Sequence, residues 1–215
     1  MSNSKLKIAI SLRVIEGKNY HEKRDGISQD WIIFTNKIGI IPILIPNRIE
    51  NLENFLKELQ INGIILSGGD NIGDNPERDD TEEKLINFGI ENKIPIIGIC
   101  RGMQVLNYFF KGKIEKNDSS NHVSTRHIVE IIQENFQKIL GNEVQVNSYH
   151  NNIITKTGLA LDLKPFAISS DGTVEGFIHK KLPIVGVMWH PERERDSINE
   201  SILKTVFQNK KFFSE

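Results

Sequence analysis

Four short apolar runs in the first half of the chain constrain its fold more than any other feature. They are 7–12 (KIAISL), 40–45 (IIPILI), 61–67 (INGIILS) and 94–99 (IPIIGI). Each is apolar almost throughout instead of alternating, as a strand buried on both faces requires. Between them lie stretches with apolar residues at helical spacing. Residues 25–38 carry Ile27, Trp31, Phe34 and Ile38, closed by Gly39. Leu52, Phe55, Leu56 and Leu59 form a second stripe. Residues 81–92 place Leu85, Phe88 and Gly89 inward, with Glu82 and Glu83 in the first turn. A further helix over 103–110 follows the last run. This alternation predicts an α/β protein: an open, mostly parallel sheet with helices on both faces. Pro42 suits the beginning of a strand.

The second half holds shorter strand-like pieces at 127–132, 144–148, 166–169 and 174–178, expected as extra short antiparallel strands. One more buried strand is predicted at 184–189 (IVGVMW) and a closing helix at 197–208. Residues 117–121 (NDSSN) form a polar loop too short for a linker, so 1–215 reads as a single domain. With 27 Lys+Arg against 28 Asp+Glu, there is no basic footprint for a nucleic-acid polymer. The longest apolar run, 38–46, is too short to span a bilayer, and residues 1–13 fit no secretory signal. A cytoplasmic protein with no membrane partner is expected. The one cysteine excludes an intrachain disulfide and a cysteine-rich zinc site.

That cysteine, Cys100, lies where the fourth run meets a helix, between Gly98 and Gly102. G-x-nucleophile-x-G is the pattern of an elbow, in which small flanking residues allow a sharp strand-to-helix turn that presents a nucleophile at the carboxyl end of a sheet. The helix that follows aims its N-terminus at the sulfur, an orientation suited to a thiolate. Its first amide, from Arg101, is placed to receive an oxyanion. A thiol nucleophile needs a base, and the base an orienting partner. Of the six histidines (His21, His122, His127, His150, His179, His190) only His190 leaves a strongly apolar strand. A parallel strand ending there would bring it beside Cys100, and Glu192 would fix its tautomer. His127 and His179 read as surface residues. No His pair has metal-ligand spacing, so neither a metal nor another cofactor is expected. A second oxyanion amide would come from the turn in GIILSGGD, at Gly69.

With these residues in view, the chain resembles the class I glutamine amidotransferase-like domains, and more narrowly the γ-glutamyl hydrolases of the peptidase C26 group. The resemblance runs through 8–13, GIILSGGD, Arg78-Asp79 before a helix, GICRGMQ, VNSYHN at 146–151, and GVMWHPE. It implies a triad of Cys100, His190 and Glu192, and oxyanion amides at Gly69 and Arg101. It also implies a γ-glutamyl pocket lined by Gln104, with Asn147, Ser148, Tyr149 and His150 holding the glutamyl α-carboxylate and α-amine. The segment 20–31 (YHEKRDGISQDW), with NSYHN and WHPERE, is most similar to the γ-glutamyl-CDP-amidate hydrolases, which act in phosphoramidate decoration of bacterial surface polysaccharide. In such an enzyme a loop after the first strand would overhang the site. Arg13, His21 and Arg24 would then meet a pyrophosphate, and Tyr20 or Trp31 would stack on a base. The expected partner is thus a small γ-glutamyl substrate, with a nucleotide attached as one option and a homodimer or partner synthetase also open. Three other readings stand beside the first: an ammonia-donating glutaminase component of a larger synthetase, a γ-glutamyl-GABA hydrolase, and a catalytically silent binding or regulatory domain.

Overall fold

The computed structural model describes residues 5–17, 19, 21–116, 123–194 and 196–209. Tyr20, His122 and the polar loop at 117–121 lie outside the described residues. The first half runs β1 (Lys7–Ser11), β2 (Arg13–Glu16), β3 (Lys23–Gly26), α1 (Gln29–Lys37), β4 (Ile41–Ile45), α2 (Leu52–Leu59), β5 (Gly63–Leu66), α3 (Pro76–Glu91), β6 (Ile96–Ile99) and α4 (Arg101–Phe109). The second half adds β7 (Glu115–Lys116), β8 (Val123–Ile131), α5 (Glu134–Leu140), β9 (Glu143–Tyr149), β10 (Asn152–Ile153), β11 (Leu163–Ser169), β12 (Val174–His179), β13 (Ile184–Val187) and α6 (Ser197–Lys204).

Nine strands form one sheet in the order β4-β1-β5-β6-β13-β12-β11-β8-β9. The first five are mutually parallel and the last four continue the sheet antiparallel. β13 joins the halves: it pairs in parallel with β6, Ile184 opposite Ile96 through Val187 opposite Ile99, and antiparallel with β12 on its other side. The second-half strands are therefore an extension of the central sheet, and β8 and β9 are longer than their apolar cores suggest.

Alternate residues of each buried strand feed opposite faces. Ile8, Ile10, Ile65, Ile97, Ile99, Val185 and Val187 pack with Trp31 and Phe34 of α1 and with Ile202 and Leu203 of α6. Ala9, Ile64, Leu66 and Ile96 pack on the other face with Leu52 and Leu56 of α2, Leu85 of α3 and Leu106 of α4. Both faces are thus covered, which is why the strands are apolar throughout. β4, carrying Pro42, is an edge strand, where a missing N–H is tolerated.

Three boundaries differ from the periodicity. α1 begins at Gln29 because Ser28 caps it, its hydroxyl accepting from the Asp30 amide at 3.3 Å. α3 begins at Pro76, with proline in the first turn beside Glu77 and Asp79. Arg78 and Asp79 therefore lie inside the helix, and Glu82 and Glu83 a turn further along. The segment after β1 is not an open loop: β2 and β3 pair as an antiparallel hairpin.

From β1 the chain crosses to β4 on one side and returns to β5 on the other. The carboxyl ends of β1, β5, β6 and β13 consequently meet at a switch in strand order, where open α/β sheets place ligands. Among the described residues no helix is long and apolar enough to cross a membrane.

Candidate active site

Cys100 follows β6 directly and caps α4 with φ 51° and ψ −106°. A side chain in the left-handed region is strained by about 1–3 kcal/mol, so the surroundings must impose it. They do. The Cys100 amide donates to the Val187 carbonyl at 2.8 Å, and the Cys100 carbonyl accepts from Gln104 N at 3.2 Å. The flanking glycines let the elbow close: a Cβ on Gly98 would lie 2.4 Å from the Gly102 carbonyl oxygen, and one on Gly102 would lie 2.1 Å from that of Leu66. Gly102→Ala is accordingly expected to cost about 3 kcal/mol through backbone displacement, lowering Tm by about 10 °C in a chain of this size. Thermal unfolding of the variant measures it.

His190 stands just past β13, and the single 3-10 turn Pro191–Arg193 brings Glu192 back beneath it. Glu192 Oε1 lies 2.7 Å from His190 Nδ1, and both residues are buried. The backbone of His190 is bracketed by one side chain: Asn147 Nδ2 donates to the His190 carbonyl and Asn147 Oδ1 accepts from the His190 amide, each at 2.9 Å. Burial by itself would push the imidazole down. Hydrogen bonds to Cys100 and Glu192, together with their charges, override it and raise His190 from 6.5 to about 9. The ring also lies against Gly68, where a Cβ would stand 2.6 Å from Cε1.

A cavity of about 250 Å³ opens over these groups and is lined by Cys100, His190, Gly69, Arg101 and Gln104. Gln104 is buried, its amide donating to the Asn152 carbonyl at 3.4 Å. Tyr149, His150 and Arg13 join the lining. Other expected site residues do not. Asn147 spends both polar atoms on the His190 backbone, and Ser148 is fully buried outside the lining. In a strand, successive side chains point to opposite faces, and only the end of β9 turns toward the cavity. His21 is exposed and Arg24 is held by Glu22 at 2.8 Å; neither reaches the cavity. The hairpin that carries Arg24 is anchored away from the site, Lys23 to Glu77 at 2.7 Å and Asp25 to the Asn47 side chain at 2.6 Å. Trp31 is a core residue packed against Phe34, not a stacking platform.

Two histidines read as surface residues turn inward, His179 buried and His127 half-buried. His179 is buried, its Nδ1 accepting from the amides of Lys181 and Leu182 at 3.0 and 2.9 Å, and burial pushes it below its ordinary value. His127 faces the buried Glu175 at 3.6 Å, and His150 faces the same carboxylate at 3.7 Å. Sequence reasoning also passed over Arg193. Its guanidinium carbon sits 4.1 Å over the Tyr149 ring, and Tyr149 in turn meets His190 edge-on with centroids 5.9 Å apart. The signal was present in WHPERE, as a cation immediately after the carboxylate.

A thiol and an imidazole on one cavity, a buried carboxylate behind the imidazole, and a backbone amide at a helix N-terminus are together the equipment of acyl transfer. Sheet order and site define a class I glutamine amidotransferase-like α/β protein. The chain belongs to the peptidase C26 family, whose model matches residues 8–192. It is 35% identical over 209 residues to the γ-glutamyl-CDP-amidate hydrolase of Campylobacter jejuni, covering 93% of this chain and 96% of that one. It is 30% identical to the glutamine-hydrolyzing component of GMP synthase from Methanococcus vannielii, covering 76% and 82%. Among solved structures it matches a candidate GMP synthase component from Thermoplasma acidophilum with a TM-score of 0.74 at 25% identity, over 98% of both chains.

Proposed function

We propose that the protein hydrolyses a γ-glutamyl amide through a γ-glutamyl thioester on Cys100. The arrangement that carries this reading is Cys100 and His190 lining one cavity, with Glu192 held against the far nitrogen of the imidazole. The Cys100 sulfur attacks the γ-carbonyl, and the oxyanion rests on the amides of Gly69 and Arg101. The imidazolium of His190 protonates the departing nitrogen, which leaves as the amine or amidate. Water then gives a proton to His190, attacks the thioester and releases glutamate, restoring the thiolate and the imidazolium. Glu192 keeps the imidazole in orientation throughout. Gln104, Tyr149 and His150 surround the glutamyl group.

The leaving group in this reading is CDP-amidate, as the name of the Campylobacter relative indicates for that protein; the pathway, phosphoramidate decoration of surface polysaccharide, is the one the sequence resemblance implies. Support comes from Arg13 and Arg193, which line the cavity and have no carboxylate within ion-pairing distance among the described residues. By contrast, Arg24 and Arg126 each have one, and Arg78 and Arg101 each have two. Two unmatched guanidinium groups beside a nucleophile suit a phosphate. The second reading, a glutaminase that donates ammonia to a partner synthetase, draws on the likeness to the GMP synthase component of Methanococcus vannielii.

Glutamate release from γ-glutamyl-CDP-amidate, γ-glutamyl-GABA and glutamine by the pure protein separates these readings. The expected order places the CDP-amidate first by a wide margin. Turnover of glutamine alone, rising when a synthetase is added, would favour the donor reading. Arg193→Gln is expected to raise KM for the CDP-amidate about tenfold, the loss of one charged hydrogen bond, while glutamine turnover stays within about threefold. Equal losses on both substrates would place Arg193 on the glutamyl side.

A further inference from the structure

We infer that Arg78 and Glu82 are positioning residues that hold the two oxyanion donors in mutual register; the inference rests on the hydrolase reading above but not on any particular leaving group. These residues lie one turn apart on α3, outside the cavity lining, and neither touches substrate in the proposed mechanism. Both are completely buried, as is all but a trace of Arg101. Burying several charges is expensive unless their geometry is closely matched, and apolar side chains would serve a purely structural purpose as well.

The match is to the turn after β5. Arg78 Nη2 donates to the carbonyls of Ser67 at 2.8 Å and Gly68 at 3.1 Å. Its Nη1 donates to the Gly69 carbonyl at 3.3 Å and the Asp70 carboxylate at 3.0 Å. Three successive carbonyls thus converge on one guanidinium. Within a trans peptide the C=O and N–H point in opposite directions. A Gly68 carbonyl turned onto Arg78 therefore sends the Gly69 N–H the other way, toward the cavity that Gly69 shares with Cys100. The positive φ of 94° at Gly69 lets the turn take this course.

Glu82 connects that turn to the second donor. Its Oε1 accepts from Arg78 Nε at 3.1 Å and from Ser11 Oγ at 2.8 Å. Its Oε2 accepts from Arg101 Nη1, while Arg101 Nη2 donates to Asp79. Arg101 is the residue whose amide opens α4, where no intrahelical acceptor exists for it. One carboxylate therefore ties the side chain that aims the Gly69 amide to the residue that supplies the other amide. Ser11 extends the clamp to β1, since its Oγ accepts from Ser67 N at 2.9 Å and its carbonyl accepts from Ser67 Oγ at 2.7 Å. Preorganisation of this kind matters because a single oxyanion donor is worth about 10²- to 10³-fold in kcat.

The test uses Arg78→Lys and the milder Ser11→Ala in the full chain, with active sites titrated by iodoacetamide at Cys100. A lysine keeps the charge, but its three N–H donors radiate from one nitrogen and cannot span the carbonyls of the turn together with Asp70 and Glu82, as the guanidinium fork does. Expected for Arg78→Lys is a fall of about 30-fold in kcat per active site, KM within about threefold, and an alkylation rate within about twofold of wild type, the damage being confined to the transition state. Ser11→Ala is expected to lose about three- to tenfold in kcat with the same pattern, and it decides the question if Arg78→Lys does not fold. Kinetics per active site equal to wild type in the folded variants would overturn the clamp and leave a structural role only. So would alkylation falling in step with kcat. Wild-type protein that releases glutamate from no γ-glutamyl amide would defeat the hydrolase reading itself, a different result.

Discussion

Replacing Cys100 by alanine is expected to abolish glutamate release, a loss on the order of 10⁴-fold or more, while the protein still folds and binds substrate. The size of the loss follows from what remains. Without the sulfur there is no thioester, and the amides of Gly69 and Arg101 can only stabilise a direct attack by water, without the covalent intermediate that divides the reaction into two easier steps. Folding should survive because the elbow is imposed from outside the side chain: the Cys100 amide on Val187, and the glycines against Leu66 and Gly102, are untouched by the change. Alanine takes the strained φ of 51° no less readily than cysteine. A second consequence is specific to this site. The hydrogen bond and charge of Cys100 are among the causes that raise His190 to about 9, and burial opposes them. Cys100→Ala should therefore move His190 downward, which an NMR titration of the imidazole would detect. Wild-type turnover in the variant would remove Cys100 from the mechanism. An unmoved His190 would show that the two side chains are not coupled.

The parts of this molecule legible in the sequence are those governed by short-range rules. Runs such as IPIIGI and IVGVMW announce strands buried on both faces, and G-x-C-x-G announces the elbow, because each pattern reports its own local environment. Placing His190 next to Cys100 needed only that both follow parallel strands, and β13 does pair with β6. What could not be read were relations between segments distant in the chain. Asn147 is part of VNSYHN, but its side chain is committed to His190, 43 residues further on. The clamp joins Ser11, Ser67, Glu82 and Arg101 from four different elements, and by composition Glu82 is one more acidic residue on a helix. His21 and Arg24 went astray for a different reason. The segment after β1 folds back on itself as a hairpin, and pairing in a hairpin is decided by a partner strand, not by the charges that make a segment look like a loop over a site.

The pH behaviour of the site should depend on Glu192 in a direction that the geometry dictates. His190 is raised to about 9 with its ordinary value near 6.5, so the imidazolium persists through neutral pH and is lost as pH rises through about 9. In the proposed mechanism that imidazolium donates to the leaving nitrogen, and kcat/KM should fall on the alkaline side with an apparent value close to 9. Glu192→Gln retains a hydrogen-bond acceptor near Nδ1 but removes the charge, one of the causes of the rise. The alkaline limb is expected to move to lower pH, and the rate near neutrality to fall by about 10²- to 10⁴-fold as the imidazole loses its orientation and its charged partner. Stability follows the same sign. A group raised on folding contributes its full stabilisation below its unfolded value and loses it as pH rises through its folded value. The gap in Tm between wild type and Glu192→Gln should therefore be widest at about pH 6, where a buried imidazolium has lost its counter-charge, and should narrow above about pH 9, where the ring is neutral in both proteins. A gap that stays constant across this range would mean that Glu192 supports His190 by packing alone. A kinetic limb that does not move would mean that the charge of Glu192 is not what keeps His190 protonated, leaving Cys100 as the partner that does.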